Sequence, residues 1–245
     1  MQEKYASYRN AGALVLLSSR MTEQEKQDVQ HSLLFAQLVA TNMFPLTSEQ
    51  DGWYATWQQV LKDNWLRKDW KSFELTPPRK SSDTAMTWLV DYMEGGLKSA
   101  DKGTLAPVLK DIVGRSAADP LIESLRERVQ QSIKQDPENE PDPEDEPDFG
   151  RFRFLLIVAQ PGPRINAAYM TLKSSAVGAI NPYAQVFTAA NVSGLVEQEF
   201  LQLDLAPPLF DPIREILAGH VQPYMDLIEM VTDGQVDDTF MASAD

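Results

Sequence analysis

The spacing of hydrophobic residues changes character midway along the chain. Between residues 22 and 135, apolar side chains mostly recur at the spacing of one face of an α-helix. Between residues 151 and 205 they mostly alternate with polar side chains, as in a half-buried β-strand. Helices followed by strands predict an α+β protein.

The first stretch predicts a series of helices. Two capping boxes, Thr22–Glu25 and Thr47–Gln50, each pair a hydroxyl with a later acid or amide and predict the starts of two helices. Further helices are predicted at 82–95 and 104–113. Another begins at Asp119-Pro120, an N-cap followed by proline at the first helical position.

One predicted strand lies upstream of the others. It covers Asn64–Thr76, with a bulge near Trp70, where the alternation loses phase. Because a lone strand is not stable, we expect it to pair with the downstream sheet. The downstream strands are predicted at Phe152–Val158, Ile165–Thr171, Tyr183–Ala189 and Leu195–Leu205. The predicted fold is α+β: N-terminal helices packed on a mostly antiparallel 4–5-stranded sheet, closed by a C-terminal helix from Asp211.

Residues 136–148 contain eight acids, four prolines and no base. This composition is typical of a disordered, solvated loop, because the charges repel one another. The loop contributes −8 to a net charge of −14, so the rest of the chain is only mildly acidic. Since the upstream strand is expected to join the downstream sheet, residues 1–230 are predicted to form a single domain around this loop. Residues 231–245 are predicted to be a flexible tail.

Composition also limits the location and the partners. The chain has no cysteine, which fits a reducing cytoplasm. The apolar run Ala11–Leu17 is short for a signal peptide and is predicted to be a buried helix or strand. We therefore expect a cytoplasmic protein, or one exported by a signal-peptide-independent route. No basic stripe is present to neutralise phosphates, so nucleic acid is not an expected partner.

A family resemblance begins in the first predicted helix. Residues 28–40 read Asp-Val-Gln-His-Ser-Leu-Leu-Phe-Ala-Gln-Leu-Val-Ala and are followed by Trp53-Tyr-Ala-Thr-Trp57, Val60-Leu61 and Trp65. This pattern resembles an uncharacterised family of small bacterial and fungal proteins, over residues 20–75 and more loosely 150–220. The resemblance implies the α+β architecture and no catalytic residues. The layout is also distantly similar to a lipidated insect-gut virulence factor of enterobacteria, whose thioester-linked lipid cannot be carried over to a chain without cysteine.

The sequence predicts no catalytic residue, metal ligand or cofactor. It contains no Walker loop, G-x-G-x-x-G, G-x-S-x-G or H-E-x-x-H motif. The two histidines, His31 and His220, lie far apart in sequence. Although His31 is near Asp28 and Ser32, we interpret it as a partly exposed helix residue, and we interpret His220 as a satisfied core or helix-end histidine.

Carboxylate pairs are the remaining candidates for catalysis. Glu197 and Glu199 would share one face of a strand at roughly 7 Å, within the range that glycoside hydrolysis needs. A solvated strand edge explains the pair equally well. Asp237 and Asp238 form another pair, and the acidic loop lacks the glycine turn and ligand spacing of an EF-hand.

Aromatic residues are concentrated between residues 53 and 73. Trp53, Trp57, Trp65 and Trp70 are the candidate binding surface, and a core role is the alternative interpretation. Tryptophan is also favoured at membrane interfaces. The apolar segment Ser32–Leu46 allows a similar choice between a central core helix and one released on membrane contact.

These observations lead to three functional hypotheses. The first is a non-enzymatic binding or host-interaction protein, virulence-associated, with an unknown protein or a membrane as its partner. The second is a membrane-active protein that uses the apolar and aromatic helical segments. The third is a carboxylate-dependent hydrolase.

Overall fold

A computed structural model describes residues 4–45, 50–93, 97, 99–132, 150–176, 178 and 180–232. Within these ranges, eight strands form one mixed sheet. The strands are β1 (Tyr5–Asn10), β2 (Ala13–Ser18), β3 (Trp65–Leu75), β4 (Gln130–Ser132), β5 (Gly150–Gln160), β6 (Arg164–Ser174), β7 (Val192–Leu205) and β8 (Ile228–Thr232).

The sheet is larger and less regular than the sequence predicts. Its strand order is β3-β7-β6-β5-β2-β1-β8, and the short β4 pairs with the first residues of β5. Strands β2 and β5 are parallel, whereas the other described pairs are antiparallel. The prediction of four or five mostly antiparallel strands is therefore corrected. The difference arises because the apolar N-terminal run forms strand β2, which lies beside β5 after a long crossover connection.

Helices cover both faces of the sheet. One face carries α1 (Glu23–Met43), α2 (Gln50–Lys62), α6 (Pro207–Phe210) and α7 (Arg214–Val221). The other face carries α3 (Ala85–Tyr92), α4 (Ser99–Gly114) and α5 (Pro120–Val129). On β5, Leu155 and Ile157 enter the first core, while Leu156 and Val158 enter the second. Burial on both faces explains the continuous apolar run of this strand.

Helix α1 begins as the sequence predicts. The Thr22 side chain accepts a hydrogen bond from the Glu25 backbone N–H at 3.2 Å, and the Thr22 backbone N–H donates to the Glu25 carboxylate at 2.8 Å. This capping box satisfies two amides at the helix start. Further along, the Gln37 side chain donates to the Asn10 carbonyl and accepts from the Gly12 N–H. These bonds join α1 to the turn between β1 and β2.

Strand β3 pairs with the downstream sheet, as predicted. It is antiparallel to β7 from the Trp65–Leu205 pair to the Leu75–Val196 pair. The register shifts between Arg67 and Asp69, close to the predicted bulge. The upstream strand therefore forms one edge of the sheet.

Several local predictions differ from the structure. Tyr183–Ala189 is not a strand: Pro182–Ala184 forms a 3-10 helix, because the Asn181 side chain caps its first turn by accepting from the Tyr183 N–H. Helix α4 begins at Ser99, before its predicted start. After the predicted C-terminal helix, the chain returns to the sheet as β8, which the sequence pattern did not predict.

Some predictions lie outside the described residues. They concern the acidic loop at 136–148, most of the second capping box at 47–50 and residues 233–245 of the tail. The assignment of residues 1–230 to a single domain stays a prediction.

Candidate functional site

The structure separates the four candidate tryptophans by burial. Trp53, Trp57 and Trp65 are 4%, 0% and 2% exposed, and they belong to the core between the sheet and α2. Trp70, on the edge strand β3, is 47% exposed. Of the four side chains, Trp70 is therefore the one that a ligand or partner can reach in this structure.

A cavity of about 220 Å³ lies beside Trp70, where α2 leaves part of the sheet uncovered. Along β7, alternate side chains point to the α2 face. Leu201, Leu203 and Leu205 are buried there, whereas Glu197 and Glu199 lie beyond the helix cover. The cavity is lined by Tyr54, Ala55, Gln58, Tyr169, Glu197 and Glu199. The predicted glutamate pair therefore borders a cavity.

The Glu199 carboxylate is held by two donors. Its Oε2 atom accepts from Gln58 Nε2 at 3.1 Å and from the indole Nε1 of Trp70 at 2.9 Å. Gln58 is oriented in turn by Lys62, whose ammonium donates to Gln58 Oε1 at 3.1 Å. Burial lowers the pKa of Lys62, with Arg67 acting in the same direction and Glu199 opposing. The network fixes Glu199 at the cavity wall.

The Glu197 carboxylate is held from the neighbouring strand. Its Oε2 atom accepts from Thr171 Oγ1 at 3.0 Å. On the other side, Glu74 of β3 stands directly opposite Glu197 in the antiparallel register. Like charges placed opposite one another destabilise a sheet. The site therefore concentrates negative charge, which lowers the stability of the fold.

Two stacked tyrosines form the wall between α2 and the sheet. The rings of Tyr54 and Tyr169 have centroids 3.9 Å apart and an interplanar angle of 10°. Tyr54 is 4% exposed, and the Gln58 side chain is the hydrogen-bonding neighbour of its hydroxyl. Burial, reinforced by the Glu199 charge, raises the pKa of Tyr54 well above its ordinary value, so the hydroxyl stays neutral.

The histidines do not belong to this cavity. Burial lowers the pKa of His31 on α1, and the Asp28 charge opposes this effect. The Asp28 carboxylate is bound by Arg214 through two hydrogen bonds of 2.9 Å each. His220 packs beside Phe35, with ring centroids 6.1 Å apart. In the described part of the chain, no group of three or more acidic or histidine side chains could hold a metal ion.

Sequence reasoning found the acidic half of the site and missed the rest. Alternation along β7 identified Glu197 and Glu199, but nothing in the sequence connected them to α2. Tyr54 and Gln58 are one helical turn apart, which places them on one face of α2. Tyr169 becomes visible only through the register of β6, where it stands opposite Glu199. Asp237 and Asp238, the other predicted pair, lie outside the described residues.

Comparison with known proteins gives distant structural neighbours. No protein-family model matches the chain, and no curated protein matches it. A delta-endotoxin has a TM-score of 0.44 and 7% sequence identity, covering 78% of this chain and 80% of that chain. The Evf virulence factor has a TM-score of 0.35 and 8% identity, covering 93% and 85%. A virulence factor among these neighbours is consistent with the predicted distant likeness, but similarity this low supports no functional argument, and family membership stays a prediction.

Proposed function

We propose that this chain is a binding protein whose cavity takes the positively charged end of a small ligand. The observation that carries the proposal is the pairing of Glu197 and Glu199 in a cavity walled by the stacked rings of Tyr54 and Tyr169. The first functional hypothesis, a non-enzymatic binding protein, gains a specific site in this way. Its host-interaction and virulence aspects stay predictions.

The charge of the cavity selects a cation. Two of its lining residues are acidic and none is basic. Lys62 lies behind Gln58 and donates to that amide, and no ion pair joins it to either glutamate in the described residues. No described residue donates to Oε1 of Glu197 or Glu199, so each carboxylate keeps an acceptor atom. An ammonium or guanidinium group would gain charge-assisted hydrogen bonds there, next to aromatic rings.

The volume of the cavity limits the size of the ligand. Pockets for drug-sized molecules usually exceed about 300 Å³, whereas this cavity measures about 220 Å³. It accommodates a small molecule or the end group of a longer one.

A hydrolase is the second candidate, because the same observation favours it. Carboxylates on alternate residues of one strand lie at a separation that glycoside hydrolysis permits. In the structure, however, Thr171, Gln58 and Trp70 hold both carboxylates from the side chains around them. This arrangement fits a fixed binding wall. Release of nitrophenol from aryl glycosides, abolished by Glu199→Gln, would establish hydrolysis instead.

The membrane-active hypothesis stays a separate prediction. None of the helices in the described ranges combines the length and the hydrophobicity needed to cross a bilayer. Trp70, Phe73 and Leu195 are exposed at the β3 edge of the sheet. Flotation with neutral and anionic liposomes tests whether the protein binds membranes, and absence from the floated fraction would remove this hypothesis.

An NMR titration with butylammonium tests the proposed function, with butyrate as the oppositely charged probe of similar size. We expect saturable shifts around Tyr54 with butylammonium and none with butyrate. Glu199→Gln should weaken butylammonium binding at least about tenfold, since a hydrogen bond to a charged group contributes about 1.5–3 kcal/mol. Glu127→Gln, an exposed position on α5 at the other face of the sheet, is the matched control. Equal affinity of Glu199→Gln and the unmodified protein would overturn the proposal.

A further inference from the structure

Arg153 on β5 is a partly buried cation without an acidic partner in the described part of the chain. Its guanidinium lies over the ring of Trp53, 4.1 Å from the ring centroid. Taking a charge out of water without a counter-charge is costly. The position is therefore one at which an anion would be stabilised.

Arg153 belongs to the same surface as the glutamate pair. In the sheet register, Arg153 stands opposite Thr171, and Thr171 stands opposite Glu197. The same row continues to Glu74 on β3. A row that crosses four strands therefore has a cation at one end and two carboxylates at the other.

The wall of the cavity connects the two ends. Tyr169 lines the cavity and lies on β6, one strand from Arg153. Burial lowers the pKa of Arg153, and the Tyr169 phenol acts in the opposite direction. Two strand spacings, about 10 Å, separate the backbones of Arg153 and Glu197.

We infer that the ligand is a zwitterion, with its cationic group at Glu197 and Glu199 and a carboxylate at the Arg153 guanidinium. This inference rests on the proposed function, since it requires the glutamate pair to bind the cationic end. The planar guanidinium offers parallel N–H donors that match a carboxylate. Because the two ends lie on different strands, a ligand with separated charges fits better than a compact one.

Calorimetric titrations with butylamine, γ-aminobutyrate and glycine test the inference. We expect γ-aminobutyrate to bind at least about tenfold more tightly than butylamine, the gain of a charge-assisted hydrogen bond. Glycine should bind more weakly than γ-aminobutyrate. Arg153→Gln should remove the preference for γ-aminobutyrate while the variant still binds butylamine, whereas Arg153→Lys should keep part of the preference. Arg79→Gln, an exposed cation in the loop after β3, is the control.

The outcomes separate this inference from the function on which it rests. Butylamine binding without a preference for γ-aminobutyrate would overturn the zwitterion and leave the cation site intact. A preference that survives Arg153→Gln would overturn the assigned role of Arg153. Failure of both butylamine and γ-aminobutyrate to bind would overturn the proposed function itself. Butylamine binding by Arg153→Gln also demonstrates that the variant folds.

Discussion

The ion pair between Asp28 and Arg214 joins α1 to α7, and its removal should have a large effect on stability. The Asp28 side chain is 4% exposed and accepts two hydrogen bonds of 2.9 Å from the guanidinium. Arg214→Met keeps the length of the side chain but leaves the buried carboxylate with only the Gln24 amide as a described side-chain donor. Breaking a buried ion pair costs about 3–5 kcal/mol. Because Arg214 is itself 32% exposed and partly screened by water, we expect a loss at or below the lower limit of this range, about 2–3 kcal/mol.

Urea denaturation followed by circular dichroism measures this loss. Lys26→Met is the matched control: it removes a cation from an i,i+3 pair on α1 whose acid, Glu23, is 82% exposed, and should change stability by less than about 0.5 kcal/mol. Asp28→Asn combined with Arg214→Met should recover much of the loss, since no unpaired charge then remains buried. Equal effects of Arg214→Met and Lys26→Met would refute the reasoning.

Three further changes test other parts of the structure. Ala11 has a φ of +48° in the β1–β2 turn, a conformation that glycine adopts more readily than alanine. Ala11→Gly should therefore raise the free energy of unfolding by about 0.5–1 kcal/mol, measured by urea denaturation. Ala13→Gly, in a regular buried strand, should lower it. Hydrogen bonding to Arg164 lowers the pKa of Asp204. Asp204→Asn should therefore reduce stability at neutral pH, and this difference from the unmodified protein should disappear as the pH falls through the lowered pKa. A difference that persists in acid would contradict this. Glu197→Gln relieves the repulsion across the strands, so its melting temperature should equal or exceed that of the unmodified protein while butylammonium binding weakens.

Local rules predicted the elements that local interactions determine. The capping box at Thr22 and the proline after Asp119 mark the starts of α1 and α5. The need of β3 for a partner correctly predicted its pairing with the downstream sheet. The place of β2 was not predictable in this way, because its parallel neighbour β5 is brought to it by a long connection. Strand β8 was also missed, because its neighbour β1 lies near the start of the chain.

The candidate site shows the same division. Alternation along β7 predicted that Glu197 and Glu199 share one face of the strand, and the structure confirms that they do. The sequence could not show that α2 ends its cover of the sheet beside them, or that Tyr54 stacks on Tyr169 there. The concentration of tryptophan indicated a surface, yet Trp53, Trp57 and Trp65 are buried. Large aromatic side chains gain more from burial in the core, and their spacing alone does not separate the two roles.

A crystal structure of the protein grown with butylammonium tests the central claim most directly. The claim predicts the ammonium nitrogen within hydrogen-bond distance of the carboxylates of Glu197 and Glu199, with Trp70 still donating to Glu199. Occupancy should be lost in crystals of Glu199→Gln grown in the same way. An ammonium bound elsewhere, or a cavity filled by the Tyr54 or Glu199 side chain, would contradict the claim.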